Sequence, residues 1–182
     1  MNFKPVTNET GSPSVNKKLD AVKQKLGFVP NLFSTLGNSE TALDAYLSLI
    51  SSLEGGKLSS QTKERIALAT ANFNDCDYCT AAHCYLAHRV EVPGDEIRAR
   101  GHSSDSRVEP LIQFAEELLE SRGRVSAKTL SRAREAGYGD SELLETVAHV
   151  TVNILTNYTN NLAKTEVDFP AIDLGEAKAV NE

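Results

Sequence analysis

Apolar residues return at helical spacing along most of this chain, and each run ends at a helix stop. Leu43, Tyr46, Leu47 and Ile50 share one face before Gly55-Gly56. Ile66, Ala69, Thr70 and Phe73 keep the same period between Ser59 and Phe73, and Leu111, Phe114, Ala115, Leu118 and Leu119 do so after Pro110. The period-two alternation of a strand is weak throughout, so the expected class is all-α. Further helices are expected from Asn16 to Leu26, ending at Gly27; from Asn31 to Leu36, after Pro30; from Asp95 to Arg100, after Pro93; from Ser126 to Ala136; and from Asp140 to Asn157 or beyond. Residues 1–14, with Pro5 and Pro13, read as an extended arm. His102 to Arg107 reads as a polar loop, and Asp168 to Glu182 as an acidic peripheral end whose tail is 172–182.

A chain of 182 residues has material for a single domain with a sizeable core. Its net charge of −6 argues against a nucleic acid or an acidic membrane surface as partner. No apolar run reaches the roughly 20 residues of a membrane span, and the opening Met-Asn-Phe-Lys-Pro-Val lacks a secretory apolar stretch. The expected location is the cytoplasm. A stable structural disulfide is disfavoured there, and a Cys-x-x-Cys reads as catalytic or metal-binding.

One such motif is present. Cys76-Asp77-Tyr78-Cys79 is followed by His83, and Glu64 precedes Cys76 by twelve residues, giving E-x11-C-x2-C-x3-H. Asp75 is the expected N-cap of a helix reaching about Arg89, with Cys79 and His83 on one face at i and i+4. Cys76 falls in the first turn, where free N–H groups favour a thiolate, so the helix terminus by itself favours Cys76 as the more acidic thiol. Lowering a thiol pKa from about 8.5 to about 6.5 raises the thiolate fraction roughly twelvefold at a pH of about 7.4. The accompanying loss of nucleophilicity, with a Brønsted slope of about 0.45, nearly cancels that gain. If the substrate is a peroxide, the decisive need is a proton for the departing oxygen, and a placed general acid is worth about 10²–10⁴-fold. His83 fits as the proton donor and Glu64 as the group that orients it. The second thiol then condenses with the sulfenic acid to a disulfide, which an external dithiol resets.

A shift of 81 residues places Glu64 on Glu145, Ala67 on Ala148, Thr70 on Thr151 and Asn72 on Asn153, and sets Cys76 and Cys79 on Asn157 and Asn160. A duplicated helical hairpin with a thiol-free second copy is one reading, and chance likeness of two amphipathic helices is the other.

The motif, with Gly27-Phe28-Val29-Pro30-Asn31-Leu32-Phe33, Leu58-Ser59, Ala81-Ala82-His83, Ala136-Gly137-Tyr138 and the Asn-rich helix before Asp168-Phe169-Pro170, resembles the AhpD-like alkylhydroperoxidases of the carboxymuconolactone decarboxylase superfamily, closest to the peroxidase-related subgroup. The resemblance spans about residues 25–171. It implies an all-helical fold, a homo-oligomer, no cofactor, and a dithiol site. Cys79 would attack peroxide, Cys76 would resolve the intermediate, and Glu64 and His83 would complete the relay. Some relatives carry a second His where Tyr78 stands. The superfamily's decarboxylases lack this Cys-x-x-Cys. The expected function is a thiol peroxidase for hydrogen peroxide or organic hydroperoxides. Alternatives are a disulfide reductase serving a partner peroxiredoxin, and a non-catalytic helical scaffold, which zinc on Cys76, Cys79, His83 and His88 or Cys84 could stabilise. Cys84 reads as a small core residue, and His88, His102 and His149 as structural or surface groups. Tyr78 and Tyr85 read as packing residues.

Overall fold

Ser12 accepts a hydrogen bond from Val15 N, Pro13 supplies the first helical residue, and Gly27 closes the far end in the left-handed conformation (φ 87°). These signals set the first helix, α1, at Pro13–Leu26, three residues earlier than the periodicity indicates. The structure, a computed structural model, describes residues 3–173. Among these the backbone forms nine helices and no strand. After α1 come α2 (Asn31–Leu36), α3 (Glu40–Glu54), α4 (Ser60–Phe73), α5 (Asp77–Arg89), α6 (Gly94–Arg98), α7 (Glu109–Glu120), α8 (Ala127–Glu135) and α9 (Asp140–Ala163). The all-α expectation holds. Serines 39, 59 and 126 each cap a helix by accepting the N–H three residues on. No helix among the described residues is long and apolar enough to cross a membrane.

Helix α4 is the axle of the molecule. It packs against α5, α6, α7 and α9, and the continuous run from Arg65 to Ala71 is buried, so it has no solvent stripe of its own there. Ile66 and Leu68 are fully buried, each contributing about 1.5–3 kcal/mol by removal from water. On one side a cluster joins Val15, Leu19, Leu32, Phe33, Leu36 and Leu43 to Ala71, Cys76 and Cys79. On the other, Ile66 and Ala69 meet Leu111, Ile112, Phe114 and Ala115 of α7 and Val150 of α9. The helix at 109–120 is therefore core. Arg65 points out of α4 into a buried ion pair with Glu96, at 2.5 Å, which fixes α6. Gly101 lies at φ 94°, and a Cβ there would stand 2.4 Å from Arg65 O, so only glycine lets this turn approach α4.

The arm before α1 docks on the body: Val6 N donates to Ser34 O at 2.9 Å and the Val6 side chain packs on the first cluster. Two expectations change. The chain near Asp168 is not peripheral: Asp168 accepts hydrogen bonds from Asn31 N at 2.7 Å and Tyr78 Oη at 2.8 Å. Phe169 packs against Phe28, Tyr78 and Tyr85. Finally, α9 is one unbroken helix across the residues equated with the α4–α5 turn, so the hairpin has no second copy. The tail at 172–182 lies almost wholly outside the described residues.

Candidate active site

The two thiols sit where α4 ends and α5 begins. Asn74 closes α4, Asp75 turns the backbone at φ 47°, and Cys76 N donates back to Ala71 O at 3.0 Å. Cys76, rather than Asp75, is the N-cap of α5: its Sγ accepts from Cys79 N at 3.4 Å. Helix α9 clamps this turn. Asn74 Nδ2 donates to Asn157 Oδ1 at 2.9 Å, and Asn161 Nδ2 donates to Asn74 O at 2.8 Å. One turn further in, Asn160 Nδ2 donates to Cys79 Sγ at 3.2 Å.

Both thiols are buried and unbridged, but their surroundings differ. Cys79 is pulled down to about 6: the Cys76 thiol donates to it, and His83, Asn160 and Asn157 favour its charge against the opposing effect of burial. Asn157 Nδ2 is buried without a formed hydrogen bond, leaving its donor free for that charge. Cys76 moves the other way, because its proton is held toward Cys79 and because burial disfavours a second thiolate. The helix-terminus argument favouring Cys76 is thus overturned: as the cap, Cys76 spends its proton on its neighbour, and the donors of α9 converge on Cys79.

Glu64 projects from α4 and His83 from α5, and the pairing of these helices brings His83 Nδ1 to 2.8 Å from Glu64 Oε2. Burial lowers the affinity of His83 for a proton, but the Glu64 charge and hydrogen bond, the Cys79 thiolate and Asn153 outweigh it, and the net shift is upward. All four residues singled out from the sequence, Cys76, Cys79, Glu64 and His83, therefore meet in one place.

Above them opens a mostly apolar cleft of about 880 Å³, walled by α1, α2, α3, α4, α5 and α9. Cys79, His83 and Glu64 line it. Sequence reasoning missed several neighbours. Tyr46 lines the cleft from α3, with its ring 5.4 Å from that of Phe33; burial, with the charges of Cys79 and Glu64, raises its pKa and keeps its proton on. His149, expected as a structural or surface group, is buried and also lines the cleft; burial and the Lys63 charge lower its pKa. Asn153, Asn157 and Asn160 carried a visible signal, a helix face rich in amides. The register that aligned Cys79 with Asn160 as repeat counterparts in fact joins contact partners.

The Tyr78 hydroxyl is engaged by groups other than Glu64 and His83. It donates to Asp168 Oδ1 and accepts from Leu32 N at 3.2 Å, tying α5 to α2 and to the end of the described chain. Cys84 is half-buried beside the Leu68, Ala87, Val92 and Ile97 cluster. His102 bridges Glu109 and Glu116, each at 3.0 Å, and braces the 102–108 loop. Among the described residues no three His, Cys, Asp or Glu side chains converge as metal ligands.

Residues 40–120 match the carboxymuconolactone decarboxylase family. No curated protein matches the sequence. Among solved structures, the alkylhydroperoxidase AhpD core of a peroxidase-related protein from Ralstonia eutropha JMP134 is 23% identical, with a TM-score of 0.80 over 91% of this chain and 92% of that one. A peroxidase-related protein from Silicibacter sp. TM1040 is 19% identical, with a TM-score of 0.77 over 91% and 90%. The debrominase Bmp8 is 19% identical, with a TM-score of 0.76 over 91% of each chain. Residues 40–120, which hold all four site residues, thus match the carboxymuconolactone decarboxylase family, and the chain that carries them has an AhpD-like fold.

Proposed function

We propose that this protein is a dithiol peroxidase. The observation that carries the reading is the asymmetry of the two thiols. Cys79 lines the cleft beside His83 and Glu64, whereas Cys76 lies behind it, buried, with its proton toward Cys79. The Cys79 thiolate attacks the outer oxygen of the hydroperoxide ROOH. The O–O bond breaks, the sulfur becomes a sulfenic acid, and the departing RO⁻ takes a proton from His83, which Glu64 orients and keeps charged. The Cys76 sulfur then attacks the sulfenic sulfur, expelling water and forming the Cys76–Cys79 disulfide. The sum is ROOH and two thiols to ROH, water and one disulfide. An external dithiol, free or on a partner peroxiredoxin, returns the two electrons. A cytoplasmic setting supplies such reductants.

A second reading follows from the size and aromatic lining of the cleft, with Phe28, Phe33, Tyr46, Tyr85 and Phe169 in its walls. The structurally similar debrominase has been solved with 2,3,4-tribromopyrrole. The same two thiols could supply the electrons for removing halogen from an aromatic ring, giving the reduced ring, hydrogen halide and the disulfide.

Counting free thiols before and after one equivalent of peroxide tests the first reading. The expected result is loss of Cys76 and Cys79 together, no turnover in Cys79→Ser, and a trapped sulfenic acid in Cys76→Ser. Full turnover by Cys79→Ser would overturn it. Bromide release from a bromopyrrole without thiol loss on peroxide would favour the second.

A further inference from the structure

The cleft is far larger than hydrogen peroxide requires, and lies in the range of pockets that enclose whole organic ligands, about 300–1,000 Å³. Its floor and its mouth differ in chemistry. Along α5, Cys79, Ala82, Leu86 and Arg89 all line it. Their spacing of three, four and three residues puts them on one helical face, and ten residues of helix separate the thiol from the arginine by about 15 Å. Much of the wall is apolar, with Ala82 and Leu86 on α5, Leu47 and Ile50 on α3, Val152 on α9 and the Phe169 ring, and its polar members include His83, His149, Asn153 and Thr156.

The charges at the mouth are not balanced. Lys25 and Glu54 line it as an ion pair and neutralise each other. Lys63 and Arg89 also line it, and no carboxylate among the described residues pairs with either. Lys63 Nζ donates to Leu53 O at 2.7 Å, and the Arg89 guanidinium lies 5.8 Å from the centre of the Tyr85 ring. The two cations stem from neighbouring helix ends, because the start of α4 meets the end of α5: Gln61 Nε2 donates to Val90 O and Glu91 O, each at 3.1 Å. Glu64, the remaining acid of the lining, is spent on His83. A chain of net charge −6 thus presents two uncompensated cations beside an apolar channel that ends at its reactive thiol.

We propose, building on the peroxidase reading, that the substrate is an amphiphilic hydroperoxide, an apolar chain with its –OOH at Cys79 and a carboxylate at Arg89 and Lys63. A guanidinium held against an aromatic face keeps its outer edge for a planar carboxylate, and the apolar walls take the chain out of water. The chemistry is that already balanced: the hydroperoxide becomes the alcohol and water, and the two thiols become the disulfide.

The test uses a linoleate hydroperoxide whose peroxide lies toward the far end of the chain, its methyl ester, and cumene hydroperoxide. The quantity read is the acid-to-ester ratio of kcat/KM. We expect a ratio of about ten in the native protein, carried by KM, falling toward one in Arg89→Gln and further in Arg89→Gln/Lys63→Gln. Turnover of cumene hydroperoxide with a ratio of one in the native protein would overturn this inference while leaving the peroxidase reading intact. So would a ratio that survives the double substitution. If no hydroperoxide is turned over, the peroxidase reading fails, and calorimetric binding of the corresponding hydroxy acid and its ester decides the inference separately. Preference for the acid, lost in Arg89→Gln, sustains a carboxylate-binding channel, and equal binding removes it.

Discussion

At the scale of single residues, the site turns on who donates to whom. The Cys76 thiol, Asn160 and Asn157 all direct donors at the Cys79 sulfur, and His83 adds charge. Cys79 is an acid whose charged form the fold stabilises, so its thiolate persists down to about pH 6 and is lost below it. His83 shifts upward, so its proton is retained above the ordinary imidazole value and lost on the alkaline side. Turnover should therefore be bell-shaped, with an acid limb from Cys79 near pH 6 and an alkaline limb from His83; because the groups interact, the limbs belong to the pair. Alkylation of Cys79 by iodoacetamide against pH reads the acid limb directly. Cys76→Ala removes the largest stabilising donor and should move that midpoint up toward the ordinary thiol value of about 8.5. Cys76→Ser keeps a hydroxyl donor in place and should leave the midpoint low. Equal midpoints in the two variants would show that the Cys76 proton has no part in activating Cys79.

At the scale of elements, the site is a meeting of helix ends held by α9 and by the segment after it. Asp168 satisfies the first N–H of α2 and the hydroxyl of Tyr78 on α5 at once, and Phe169 packs against Tyr78 on the same side. Asp168→Ala leaves both donors unanswered, one of them on a buried side chain. Leaving such groups unpaired costs about 1–3 kcal/mol, which urea unfolding should register as a lower midpoint at an unchanged slope. Much of this was legible from residues alone. Ser59, Ser126, Pro30, Gly27 and the apolar period locate the helices to within a few residues, whereas Pro13, read as part of the arm, opens α1. The role of Asp168 was not, because a polar residue near a chain end carries no local pattern. Its partners lie 137 and 90 residues away. The α5 cap was misread for a related reason. Asp75 has the better capping side chain, but a sharp turn out of α4 puts it at positive φ and passes the cap to Cys76.

At the scale of the molecule, α9 has two faces of different purpose. Its inner face carries Asn153, Asn157 and Asn160 to the site. Its outer face exposes Leu144, Leu155, Tyr158 and Leu162, with relative exposures of 69%, 36%, 61% and 67%. With Ala148 and Thr151 these residues repeat every four and three positions, the spacing of a seam between helices. We read this stripe as the contact through which copies of the chain form the expected homo-oligomer. Leu155→Glu/Leu162→Glu places charges on the seam without touching the core, and sedimentation should then show a monomer at concentrations where the native chain assembles. Unchanged sedimentation would place any assembly elsewhere.

The sequence by itself determined the fold class and singled out the four side chains that meet at the site. Helical period and caps are local, and E-x11-C-x2-C-x3-H names its reagents by residue type and by spacing along two helices. It could not decide which thiol is the more acidic, since Cys76 and Cys79 differ only in what surrounds them. Nor could it place Tyr46, His149 or Asn160 at the site, or show that Arg89 lines the same cleft as Cys79. Those are decisions of tertiary structure. Electrostatic environment and cleft shape arise where α3, α4, α5 and α9 converge, and no local pattern records that convergence.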